Sequence, residues 1–366
     1  MLTKKLLARL RSLLPVAAWA LGFALTTWLA GRVLPARELP PAIREKLAHL
    51  AVHGDGYDAI FVGSSRIQNH LMPNLFDSLA AEGGCPVRSF NAGISSMHTP
   101  EDAWMLEHIL AAPHAHLRWV FLEIDFFDTA MQAGQRDTLN GIAWHDGPRF
   151  AQLCRRLLVP KDLAVETPQR LCDFIEHLAA FSQRSTQFGR GAQLLDRRRN
   201  HTPAEPMDWE RLGQNGDGWV PTRHDAAALA EAPAQLARLA ELVAERQAKA
   251  PRPQQADSAS QAVLAAAIAQ IIRAGATPIL VIPPRTRSVY FVPSEKNARR
   301  AAVIDLCSPA RYPDLYAPQY RVDTSHLNPA GAEVFTRIMA ARFLEIAPRE
   351  PASALPAPAA FSSGGQ

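Results

Sequence analysis

YDAIFVG, residues 57–63, runs directly into SSR at 64–66. The first seven residues are short, apolar and closed by Gly63, the pattern of a strand buried on both faces. Working outward, VRSFNAG at 87–93 and LRWVFLEID at 117–125 repeat that pattern. Between them, MPNLFDSLAAEGG at 72–84 carries a helix stopped by Gly83 and Gly84, and Thr99 caps a helix whose first residue is Pro100, with Glu101 and Asp102 in its first turn. Much later come a helix in QAVLAAAIAQIIRAG (261–275), strands in TPILVIPP (277–284) and AAVIDL (301–306), and a closing helix at 329–347 with Asn328 as cap and Pro329 at its first position. Strands separated by crossover helices predict a three-layer α/β/α domain with a mainly parallel sheet.

The chain has 366 residues, 48% of them apolar and 20% charged, which excludes a disordered, collagen-like or disulfide-scaffold protein. The pI near 9.0 invites a nucleic-acid reading. Residues 1–37, however, hold Lys4, Lys5, Arg9, Arg11, Arg32 and Arg37 and no acid, so the remainder has 33 basic against 35 acidic residues. Nucleic acid is therefore not an expected partner.

Between Arg11 and Arg32 lie twenty uncharged residues, SLLPVAAWALGFALTTWLAG. As a helix they reach roughly 30 Å, the thickness of a bilayer core. The expected organisation is a cytoplasmic N-terminus at 1–11, a transmembrane anchor at 12–31, a stalk at 32–56, an α/β domain at 57–347 outside the cytoplasm, and a disordered tail at 348–366. A cleavable signal peptide is the competing reading of the first segment, weakened by the lack of a clean small-x-small cleavage site.

The interval 130–260 breaks the strand–helix rhythm and reads as an insertion. It has helical pieces near 149–157, 161–184 and 225–249, a basic stretch at 190–203 including RRR at 197–199, the segment LGQNGDGWVPTRH at 212–224, and a Pro/Gln/Ser-rich connector at 251–260. The four cysteines, Cys85, Cys154, Cys172 and Cys307, show no metal-binding spacing. Cys154 and Cys172 are the nearest pair in sequence, and separate thiols fit equally well. No cofactor or metal is expected, and GRG at 189–191 lacks the strand-to-helix pattern of a nucleotide loop.

Two places could carry chemistry. Ser65 follows the first strand, where an open parallel sheet presents side chains to a ligand. Asp323 and His326, in DTSHLNPAG at 323–331, are close enough for the carboxylate to accept Nδ1–H of the imidazole and turn Nε2 outward as a base. Each is weak alone; their order and placement are not.

Together these blocks resemble the SGNH/GDSL hydrolase superfamily, over roughly residues 57–130 and 262–347. IFVGSSRI at 60–67 matches the first block with Ser65 as nucleophile and Ser64 where an acid is usual, FNAGISS at 90–96 matches the second with Gly93, and DTSHLN at 323–328 matches the last. The resemblance implies a flavodoxin-like fold, a Ser65–His326–Asp323 triad, and an oxyanion hole formed by the Ser65 and Gly93 N–H groups. The third block departs: LEIDFFD at 122–128 puts Asp125 where the family has an asparagine donor. An ionised carboxylate cannot donate to an oxyanion, so Asp125 turns away, is protonated, or leaves the two N–H groups alone. Ser64, Arg66, His98 and Asp128 are further candidates around the substrate, and binding an acceptor hydroxyl is an alternative role for Asp125.

The anchor and the altered third block resemble a bacterial branch acting in exopolysaccharide O-acetylation and teichoic-acid D-alanylation. That resemblance implies a membrane-anchored esterase or O-acyltransferase on a cell-envelope glycan, working beside a membrane-embedded acyltransferase. A catalytically silent binding or assembly module is the alternative.

Overall fold

The computed structural model describes residues 2–33, 39–127, 130–131, 138–158, 167–186, 212–222, 233–248, 252–255, 258–286 and 289–347. In chain order the first elements are α1 (Leu2–Val33), α2 (Pro41–His53), β1 (Ala59–Val62), α3 (Ser65–His70), α4 (Pro73–Glu82), β2 (Ser89–Asn91), α5 (Glu101–Leu110) and β3 (Trp119–Glu123). There follow α6 (Leu139–Ala143), α7 (Gly147–Leu158), α8 (Thr167–Thr186), α9 (Pro233–Gln247), β4 (Arg252–Gln255), α10 (Ser258–Arg273), β5 (Thr277–Ile282), β6 (Val289–Val292), α11 (Glu295–Ala298), β7 (Ala302–Asp305) and α12 (Pro329–Ile346). Two compact units emerge: a helical unit from residues 1–45, 127–207 and 257–259, and a sheet unit from 46–126, 208–256 and 260–366.

The sheet unit is built on five strands in the order β2-β1-β3-β5-β7, every neighbouring pair parallel. On one face Phe61 stacks on Phe121 with centroids 4.2 Å apart, Phe76 meets Phe61 edge-on at 5.0 Å, and Phe343 meets Trp119 edge-on at 5.1 Å. That aromatic layer lies beneath α4 and α12. Ile60, Val62, Val120, Leu122 and Leu280, alternating with it, are buried on the other face, the side of α5 and α10. Burial on both faces explains why the strand sequences are continuously apolar. The strand order reverses between β1 and β3, and in doubly wound sheets the crevice outside the strands' carboxyl ends at that point takes the ligand.

Several sequence expectations change. Among the described residues no helix is long and apolar enough to cross a membrane, so the transmembrane assignment of 12–31 finds no support. The segment is helical within α1, with Pro15 inside the helix. Thr99 is not the cap of α5: Pro100 occupies that position, and the Glu101 carboxylate accepts the His98 N–H at 3.0 Å. The connector at 251–260 contains β4, which pairs in parallel with β6, a strand not anticipated. Of the 225–249 helix, Pro233–Gln247 is described. All four cysteines are free thiols. RRR at 197–199, Asp128 and the tail at 348–366 lie outside the described residues.

In the helical unit α8 packs against α6, α7 and α1. Phe150 stacks on Phe181 at 4.3 Å. The contacts beside it are polar: His145 Nε2 lies 2.8 Å from His177 Nδ1, and Gln169 donates to the buried Asp173 at 2.8 Å.

Candidate active site

The turn after β1 is held by a carboxylate. Ser64 donates both its N–H and its hydroxyl to Glu123 Oε2, at 2.8 and 2.9 Å, and its Oγ accepts the Arg66 N–H at 3.2 Å to cap α3. A Cβ on Gly63 would stand 2.6 Å from Glu123 Oε2, so only glycine lets that carboxylate approach. Ser64 is thereby occupied with structure, and Ser65, the first residue of α3, is left to face outward.

Ser65 Oγ donates to His326 Nε2 at 2.8 Å, and His326 Nδ1–H donates to Asp323 Oδ2 at 2.8 Å. The other oxygen of Asp323 accepts the N–H groups of Ser325 and His326 at 2.6 and 2.7 Å. Burial pushes the Asp323 carboxyl up, but the hydrogen bond from His326 and those backbone donors outweigh it and hold the group at about 2. Asp323 therefore stays ionised, fixing the tautomer that leaves Nε2 free to take a proton. Residues 261 positions apart form this relay at the carboxyl end of β1.

The loop bearing the acid and base is fastened from below. Arg321, fully buried, donates to the carbonyls of Leu315, Asp323 and Thr324 at 2.6, 3.1 and 2.8 Å. His70, at the far end of α3 from Ser65, accepts the Leu327 N–H on Nε2 at 2.9 Å, so its own proton sits on Nδ1. Burial, then the neighbouring His326 and Arg321, push His70 well below the usual imidazole range. The helix that carries the nucleophile thus also grips the residue after the base.

Asp125 is turned away from this relay. Its Oδ2 accepts from Arg285 Nη1 at 2.6 Å and Arg66 Nη2 at 3.2 Å, while Oδ1 accepts the Phe126 N–H at 2.8 Å. Burial opposes its charge, yet the two guanidinium groups hold it at about 2. Of the three possibilities in the sequence, the carboxylate is ionised and paired. Glu123 Oε1 completes the cluster, 2.7 Å from Arg66 and 3.6 Å from Arg285. Asp102, buried near it, is pushed well above the carboxylate range, first by burial and then by Glu123 and Glu101.

The Ser65 N–H has no partner among the described residues. The Gly93 N–H donates to Asn91 Oδ1 at 3.0 Å, so an oxyanion would have to share that hydrogen. Gly93 has a packing reason as well: a Cβ there would stand 2.5 Å from the Gln68 backbone nitrogen. Asn91, fully buried, donates to the carbonyls of Ile67 and Leu71, both at 2.8 Å, and so staples α3 to the turn after β2. Beyond it Lys46, also fully buried, donates to the carbonyls of Asn91, Gly93 and Gly218 at 2.9, 2.8 and 2.8 Å. Burial lowers its ammonium to about 7, with Asp217 pulling the other way. His98 contributes main-chain bonds to the first turn of α5.

Residues 212–222 belong to this framework. Val220 N–H donates to Gln68 O at 3.2 Å, Trp219 Nε1–H to Asn69 O at 3.0 Å, and Thr222 Oγ1–H to Leu327 O at 3.2 Å. Gly218, with φ of +87°, would bring a Cβ to 2.0 Å from Asn91 O, so the strap lies directly on the end of β2. Glu123, Arg285, Arg321, Lys46, Asn91 and His70 were not singled out as site residues from sequence. A glutamate inside the apolar run LRWVFLEID was the one visible signal; the others resemble ordinary polar residues until burial is known. No protein-family model matches the chain, and no curated protein matches it in sequence.

Proposed function

We propose that this protein transfers or hydrolyses O-acyl groups, in the manner of SGNH-type serine esterases, on a cell-envelope glycan, with α1 attaching it to a membrane. The observation that carries the reading is the Ser65–His326–Asp323 relay, with both links at 2.8 Å, at the carboxyl edge of a doubly wound parallel sheet. The Ser65 hydroxyl proton passes to His326 Nε2 as Oγ attacks the acyl carbon. The tetrahedral oxyanion meets the Ser65 N–H and a shared Gly93 N–H. Collapse expels an alcohol that takes the proton back from His326. A sugar hydroxyl or water, deprotonated by His326, then attacks the acyl-enzyme and releases Ser65. A membrane-embedded acyltransferase would supply the acyl group.

The test is the intact mass of the full chain mixed with an activated acetyl ester. A one-acetyl adduct is expected in the wild type and absent from Ser65→Ala and His326→Ala. Faster decay with added glycan marks a transferase, and equal decay into water an esterase.

One observation favours a second reading, a glycan-binding or assembly module. Asp125 is locked between two arginines and gives no side-chain donor at the third block. A folded wild type that forms no adduct would select that alternative.

A further inference from the structure

We propose that the outer face of α8 rests in the headgroup–acyl boundary of a lipid bilayer. The proposal lies outside the acyl chemistry and rests only on the reading of α1 as the membrane-attached element. It starts from an exposed aliphatic stripe on α8. Leu171, Ile175 and Leu178, spaced four and three residues apart on one stripe, are 59%, 55% and 40% exposed. On the opposite side Asp173 and His177 are 3% and 2% exposed and face the interior of the unit. A helix at the surface of a water-soluble unit turns its apolar stripe inward; this one packs Ala180 and Phe181 inward beside Asp173 and His177, and still carries a second, aliphatic stripe on its outer side.

The adjoining helix identifies the occupant. α1 touches α8 within the same unit. Its own apolar side chains are also exposed: Leu14, Leu21, Leu25 and Leu29 along one side, Val16, Trp19 and Phe23 along the other. A protein groove covers one stripe of a helix, whereas apolar exposure all round suits a fluid apolar solvent. Lys4, Lys5, Arg9 and Arg11 in the same helix add four positive charges and no acid, which favours anionic headgroups. The aliphatic stripe of α8 would extend the apolar surface of α1 sideways along the boundary, the region into which amphipathic helices bury their apolar faces.

Cys172 lies on this helix and is the one exposed thiol; Cys85 and Cys307 are buried and Cys154 is intermediate. In the full chain carrying Cys154→Ser, Cys172 can be labelled with an environment-sensitive nitrobenzoxadiazole dye. Vesicles of phosphatidylethanolamine and phosphatidylglycerol should then shift its emission to the blue, with quenching by lipids bearing a nitroxide near the top of the acyl chain. Leu171→Glu and Ile175→Glu, exposed positions that leave the fold intact, should each weaken the dye's transfer to lipid by roughly tenfold while α1 keeps the protein on the vesicles. An unshifted dye on protein that floats with the vesicles overturns the proposal and spares α1 as the attachment. Protein that does not float overturns both. A blue shift without lipid that grows with protein concentration overturns it in favour of a second copy covering the stripe.

Discussion

The two units differ in what they leave outside. In the sheet unit the interior is aromatic and aliphatic, centred on Phe61, Phe121, Phe76 and Phe343; Glu123, Asp125, Arg66 and Arg285 pair with each other, and buried Lys46 and Arg321 are satisfied by carbonyls. In the helical unit the packed side of α8 carries Asp173 and His177, and its outer stripe is aliphatic. The first arrangement is what water selects. The second mixes Asp173, His145 and His177 with buried Trp144, Leu153 and Ala180, and leaves a further aliphatic stripe to the surroundings. Burial alone, then, does not reveal what a segment is packed for; the polarity of what is left outside does.

Catalysis offers the sharpest way to test that division. Ser65→Ala should lower acylation by a small activated ester by about 10⁴-fold or more, measured by adduct formation. Leu171→Ser with Leu178→Ser should leave the rate on the same soluble ester unchanged; a matching loss would break the division.

Stability should separate next. Phe121→Ala removes a fully buried ring and should cost about 3–5 kcal/mol in chemical denaturation. Leu178→Ala, of similar chemistry but exposed, should stay within about 0.5 kcal/mol in the absence of lipid.

Acid should weaken both units through buried imidazoles. Burial, then the nearby His177, lower His145 from its ordinary 6.5 to about 3. Between those values the unfolded chain binds the extra proton, so the helical unit is fully stabilised above the upper value and loses stability as pH falls toward the lower one. Asp125 and Asp323, lowered from 3.8 to about 2, contribute stability above the former that is lost as pH falls through the latter. His70, lowered in the same direction within the sheet unit, weakens that unit over the same range; His145→Gln should therefore flatten the acid loss of protection in α8, read by amide exchange from pH 7 downward, and leave that of β1 and β3 unchanged.

A base-side counterpart concerns Lys46. Its ammonium is lowered to about 7 from 10.5, so between those values stability rises with pH. Lys46→Met should flatten that rise and, by orphaning three carbonyls, cost about 1–3 kcal/mol, read as the pH dependence of the unfolding midpoint.

The sequence disclosed what is local. Strands β1, β3, β5 and β7 are apolar runs ended by glycine, proline or acid, and Asn328 caps α12 by accepting the Gly331 N–H at 2.9 Å, as its residue type suggests. Ser65, Asp323 and His326 were legible because each follows a strand or precedes a helix at a sheet edge. The fastening beneath them was not. Arg321, Lys46 and His70 act by being buried against backbone carbonyls and amides far off in sequence, and no spacing rule marks a cation that will find three carbonyls. β4 escaped notice because it lies in a stretch dominated by proline, serine and glutamine, and β6, VYFV, because it has only four residues.

The distance in sequence between nucleophile and base has a consequence for biosynthesis. A chain emerging from the ribosome exposes Ser65 early, but its partners come 261 residues later for His326 and slightly sooner for Asp323. Parallel strands joined by crossovers pair slowly because loop closure precedes the contacts that reward it. Throughout that interval the serine is an ordinary alcohol. A message truncated before residue 321, or a chain stalled there, yields a polypeptide that is chemically mute, so the reactive group is armed only when synthesis is almost complete.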